Sequence, residues 1–136
     1  MKNWLNKLFA RKPNKGAATP GKNLLDWFTV RFDDVNVYRE ANPPGKEPWR
    51  DCFRWDEVIR VCYKAEGPFL SDGVYFFTSD RPEGYVIPTE AAGGDALMGE
   101  ILRRKLFHPE LLIKACASEE GLFCWPEAPG DLGNAP

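Results

Sequence analysis

The sequence predicts an α+β protein: a strand-rich body followed by one or two C-terminal helices. Two observations predict it. Short apolar runs alternate with polar residues between positions 27 and 90, and Pro- and Gly-rich clusters separate them. From Gly93 onward the apolar spacing changes to a helical period.

The elements follow in order. "WFTVRF" (27–32) places Phe28, Val30 and Phe32 on one face and Thr29 and Arg31 on the other. "VNVYR" (35–39) alternates again, and Asp33-Asp34 between the two runs predicts a two-residue hairpin. "EANPPGKEP" (40–48) is a loop. "DCFRW" reads as a strand, and "EVIRVCYK" as a second strand or the continuation of the first. By parity, Phe53, Trp55 and Glu57 share a face, and Ile59, Val61 and Tyr63 share one in the second half. Cys52 and Cys62 are about 33 Å apart on an extended chain, so they meet only if it bends near Trp55-Asp56-Glu57. "VYFFTS" (74–79) is an aromatic strand expected to be buried on nearly both sides. "DRPEG" (80–84) is a turn, and "YVIPTE" (85–90) is a strand whose Pro88 marks an edge.

Past Gly93-Gly94, Asp95 marks an N-cap region, and Leu97, Ile101, Leu102 and Leu106 keep helical spacing. Arg103, Arg104 and Lys105 fall in the last turn, where cations suit the helix dipole. "HPELLIKACASEE" starts a second helix, with His108 placed to cap it, Pro109 in the first turn and Gly121 as the stop. "LFCW" is a short final strand or apolar clasp.

The 136 residues are one domain's worth, 23–127, with short extensions. Residues 1–12 are expected to form a short basic amphipathic helix. Trp4, Leu5, Leu8 and Phe9 lie on one face, flanked by Lys7, Arg11 and Lys12. Residues 13–22 read as a flexible linker and 128–136 as a disordered tail. Residues 1–22 carry six basic residues and no acid. The net charge of −2 therefore leaves −8 on the remainder. That balance excludes a uniformly basic nucleic-acid binder, and no nucleic-acid partner is expected. The first residues lack the continuous apolar core of a secretion signal, because Asn6 and Lys7 interrupt it. No stretch approaches the roughly 20 apolar residues of a membrane span. A cytoplasmic protein with reduced thiols is the expectation, and an oxidised pair would require export.

The segments "FRWDEVIRV", "DGVYFFTS", "GYVIPTEAAGGDALMGEILRR" and "FCWPE" resemble small uncharacterised bacterial proteins with a pleckstrin-homology-like domain. The resemblance covers residues 26–127. It implies a bent antiparallel sheet or partial barrel with a helix packed against it. It specifies shape more than activity. Lipid-binding members of that superfamily carry basic residues on the first hairpin. Here Asp33 and Asp34 occupy that turn, with only Arg31 and Arg39 near, so phosphoinositides are not the expected ligand.

No motif assigns catalysis. Cys52, Cys62, Cys116 and Cys124 lack the close pairs of a zinc site, and His108 is the only histidine. Asp56-Glu57 point to opposite sides of a strand, and Glu119-Glu120 read as solvated helix-end acids. "EAAGGDA" matches no phosphate-binding loop. No cofactor or metal is expected, and the chain is read as a non-enzyme.

What remains is surface. Trp49, Trp55, Trp125, Phe53 and Tyr63 are core residues unless some are exposed together, when they mark a binding patch. Arg103 and Arg104, with the N-terminal arm, form a second candidate contact. The expectation is a non-catalytic protein-interaction module of adaptor or immunity type. The alternatives are peripheral association of residues 1–12 with an anionic membrane, or an unrecognised enzyme. Homodimerisation through an exposed edge near Pro88 is also open.

Overall fold

Alternation in the first two runs produces a hairpin, and a third strand completes a sheet. The structure, a computed structural model, describes residues 24–67 and 70–126. The expected helix 1–12, linker 13–22 and tail 128–136 lie outside the described residues, as do Trp4, Leu5, Lys7, Leu8, Phe9, Arg11 and Lys12.

A short helix α1 (Leu24–Trp27) leads into β1 (Phe28–Phe32), β2 (Asn36–Ala41) and β3 (Trp49–Arg54), an antiparallel sheet in the order β1-β2-β3. Phe28, Val30, Val37, Ala41 and Phe53 face the core. The β1–β2 connection has three residues, not the expected two. Asp33 builds it: its Oδ1 accepts from the backbone N–H groups of Val35 (2.9 Å) and Asn36 (2.7 Å). Its Oδ2 accepts from the Tyr38 hydroxyl at 2.8 Å. The bond from Asn36, then that from Val35, holds the Asp33 carboxyl below its ordinary range.

The chain does bend after β3. A single 3-10 turn, Trp55–Glu57, separates it from β4 (Val58–Glu66). β4 opens a second sheet with β5 (Gly73–Thr78), β6 (Arg81–Pro88) and β7 (Glu120–Trp125), in the order β6-β5-β4-β7. A register irregularity between Val58 and Arg60 upsets the simple parity, so Ile59 is exposed while Val61 and Tyr63 are buried. The turn before β6 is Ser79-Asp80, and Arg81 to Gly84 already belong to the strand. β5 is not buried on both sides. Val74, Phe76 and Thr78 point inward, while Tyr75 and Phe77 stack half-buried on the outside.

α2 (Gly94–Arg103) packs against β1, and α3 (Pro109–Ala117) packs against β4 and β7. Asp95 lies in the first turn of α2, where its charge suits the dipole, but the cap is Gly93. His108 caps α3, its Nδ1 accepting from the Glu110 N–H at 3.1 Å. α3 ends at Ala117, before Gly121, because the chain must turn back to become β7.

The expected single bent sheet or partial barrel is thus two antiparallel sheets, of three and four strands, that do not close. Aromatic contacts join them. The Phe53 ring lies 4.9 Å from Phe76 and 4.6 Å from Tyr85, centroid to centroid. Trp55 is buried, and its indole N–H donates to the Asp33 carbonyl at 2.8 Å.

The expectation of four reduced thiols is corrected as well. Cys62 and Cys124 face each other across β4 and β7 and form a disulfide. Spacing conceals this pair, because β7 returns to β4 only after two helices. Cys52, exposed, and Cys116, buried near the Tyr63 hydroxyl, take no part in a disulfide.

Candidate functional site

The outward face of β1–β3 follows from parity. Thr29 and Arg31 come from β1, Tyr38 and Glu40 from β2, Arg50 and Cys52 from β3. Register aligns them in two rows across the sheet: Thr29–Glu40–Arg50 and Arg31–Tyr38–Cys52. These six residues, with Arg39 and Asp51, line a groove of about 310 Å³. A neighbouring groove of about 400 Å³ extends it past Thr29, Glu40 and Arg50 to Trp27, Pro48 and Trp49.

Arg39 and Asp51 alternate with the six outward residues, so their side chains turn to the inner face and brace β2 and β3 from beneath the groove. The Arg39 Nε and Nη2 donate to the two Asp51 carboxylate oxygens at 2.8 and 2.6 Å. Its Nη1 donates to the Val86 carbonyl at 2.8 Å, across to the second sheet. The same guanidinium lies 4.9 Å from the Trp49 ring and 5.1 Å from the Tyr85 ring. Arg39 is fully committed, as a planar bidentate clamp.

Arg31 and Arg50 are placed differently. The Arg31 guanidinium lies over the Tyr38 ring at 4.3 Å, which orders it without neutralising it. Among the described residues neither Arg31 nor Arg50 has a carboxylate within ion-pair distance, although Glu40 stands cross-strand from Arg50. Two guanidiniums without an ion-pair partner among the described residues, Arg31 in the field of the Asp33 carboxylate, stand on diagonal corners of a groove lined by Tyr38 and suit a ligand that carries carboxylates. Trp49, 40% exposed, supplies apolar surface at the rim.

The sequence-predicted contacts lie elsewhere. Arg103 and Arg104 at the end of α2 both bind Glu100, Arg104 through its Nε at 2.7 Å. The Arg103 bond, then that from Arg104, holds the Glu100 carboxyl down at about 2. Arg104 also covers the Trp55 ring at 4.3 Å and donates to the Asp34 carbonyl at 3.3 Å. It fastens the first hairpin to α2. Arg103 is the more exposed of the two. Of the aromatics, Phe53, Trp55 and Tyr63 are core, Trp125 is half-buried beside His108, and only Trp49 is exposed. The sequence reading named Arg31 only for its nearness to the acidic turn. Strand parity signalled the outward face, but which strands lie side by side was needed to assemble it.

One buried polar cluster is structural. The Tyr63 hydroxyl donates to the Asp72 Oδ2 at 2.7 Å, and the Asp72 Oδ1 accepts from the Glu66 N–H at 3.1 Å. Asp72 is 2% exposed, with no opening to a ligand. Burial pushes the Tyr63 hydroxyl far above its ordinary value, so it stays a donor at any physiological pH. Tyr63→Phe is expected to cost about 2 kcal/mol, since it strips a hydrogen bond from a buried acid. A urea titration checks this, and a loss below about 0.5 kcal/mol would show the bond to be idle.

Among the described residues no group of three or more His, Cys, Asp or Glu is placed to hold a metal ion. None of their helices is long and apolar enough to cross a membrane. No family model matches the chain, and neither a curated protein nor a solved structure matches it.

Proposed function

We propose that the chain is a non-catalytic protein-interaction module whose binding surface is the outward face of β1–β3. The observation that carries this reading is the pair Arg31 and Arg50, each without an ion-pair partner among the described residues, on a groove that Tyr38 lines and that runs into the neighbouring groove of Trp27 and Trp49. Arg, Tyr and Trp are the residues that dominate binding energy at protein interfaces. The partner is a protein that presents an acidic segment to the groove. Seven antiparallel strands in two sheets with late helices support a variant of the pleckstrin-homology-like frame. The variation lies in β7, which follows the helices and returns to β4. The Cys62–Cys124 disulfide favours an oxidising compartment over the cytoplasm expected from the sequence.

The test starts with capture of partners from the source cell, using the intact protein and the double variant Arg31→Glu/Arg50→Glu. A captured protein is then purified and titrated directly. Loss of two charge-assisted contacts is expected to weaken binding about a hundredfold, and the remaining affinity should be less sensitive to salt. Equal affinity for both forms would remove the groove from the interface.

A further inference from the structure

We infer that β7 is the seam of a two-fold dimer, in which two copies of this chain pair edge to edge. The inference is independent of the groove on β1–β3.

Four strands end the two sheets, and three of them are guarded. β1 is bridged by the segment after β6: the Val30 N–H donates to the Ala92 carbonyl, and the Ala92 N–H to the Phe28 carbonyl, each at 2.8 Å. β3 carries Arg50, Asp51 and Arg54, and such charges discourage edge pairing. β6, the edge expected to dimerise, contains Pro82 and Pro88, and its Val86 carbonyl is taken by Arg39.

β7 has no such guard among the described residues. Its sequence is EGLFCW, with a single charge at its start. The Cα atoms of Cys62 and Cys124 are 4.0 Å apart, which marks them as a narrow, non-hydrogen-bonded pair. Antiparallel alternation then turns the N–H and C=O groups of Leu122 and Cys124 away from β4, toward the open edge. The Leu122 side chain of this edge strand is 55% exposed.

The occupant that fits is a second copy, because the strand is complementary to itself. Centring the pairing on Leu122 places each Leu122 opposite the other and each Glu120 opposite Cys124 of the second copy. The outward backbone groups then meet one another. The two Glu120 carboxylates lie four residues apart along the seam, about 13 Å, where their repulsion is largely screened. The result is a continuous eight-stranded sheet across the two-fold axis. So short a seam is at the small end of specific interfaces, so the dimer should be reversible and fill at concentrations on the order of 10–100 µM.

Sedimentation equilibrium tests this on the full chain, with Cys52 alkylated so that its exposed thiol cannot link copies. The expected result is a monomer–dimer equilibrium that Leu122→Lys shifts at least tenfold toward monomer, with its melting temperature unchanged. Ile59→Lys, which alters an equally exposed apolar residue away from β7, should leave the equilibrium as it is. A chain that stays monomeric at several times the expected concentrations, roughly 500 µM, would overturn the inference. So would a dimer indifferent to Leu122→Lys, or one weakened equally by Ile59→Lys.

Discussion

Reduction of the Cys62–Cys124 disulfide is expected to lower the free energy of unfolding by about 4 kcal/mol. The bond closes a loop with a sequence separation of 62, and the stabilisation from restricting the unfolded chain grows with that length. The loop contains β5, β6, α2 and α3, so the cross-link limits the freedom of more than half the described chain. In the folded state it fastens the last strand to the middle of the four-stranded sheet. The thermal midpoint should fall by about 15 °C or more on reduction. Cys62→Ala/Cys124→Ala should reproduce the fall and then be insensitive to reductant. Melting curves with and without reductant check this. A midpoint that reductant does not move would show that the two thiols are not bonded in solution.

The second large effect comes from one backbone position. Gly93 has φ of 90° and caps α2, in a conformation that side chains resist. A Cβ there would stand 2.1 Å from the Val30 carbonyl oxygen, in a segment bound to β1 on both sides of Ala92. Backbone on both sides leaves nothing flexible to give way. Gly93→Ala is therefore expected to cost about 3 kcal/mol and to loosen the bridge that guards the β1 edge. Gly99 provides the opposite case. It lies inside α2 with open space around it, so Gly99→Ala should gain about 0.5–1 kcal/mol from helix propensity alone. Chemical denaturation of the two variants side by side decides the matter. Like-signed changes would contradict the placement of one glycine or the other.

Local chemistry was legible in the sequence wherever one element sufficed to decide it. The alternation at Phe28, Val30 and Phe32 is set by the strand itself, and the burial of Phe28 and Val30 follows it. His108 before Pro109 is a cap whose acceptor and donor lie two residues apart. Features that depend on distant partners were hidden. The irregularity at Ile59 arises from how β4 fits β5, and nothing in "EVIRVCYK" announces it. The disulfide depends on a strand that returns after two helices. Asp33-Asp34 suggested a two-residue turn, yet the Asp33 carboxylate organises three by accepting two backbone bonds. The groove is the clearest example. Arg31 and Arg50 are 19 positions apart in sequence and share a face only because β2 lies between their strands.

That face carries the proposed function. Hydrogen exchange of the protein, free and bound to its captured partner, tests it most directly. Slowed exchange is predicted at residues 29–31, 38–40 and 50–52, with β7 unaffected by the partner. Protection confined to other segments, with those three stretches exchanging as in the free chain, would contradict the account.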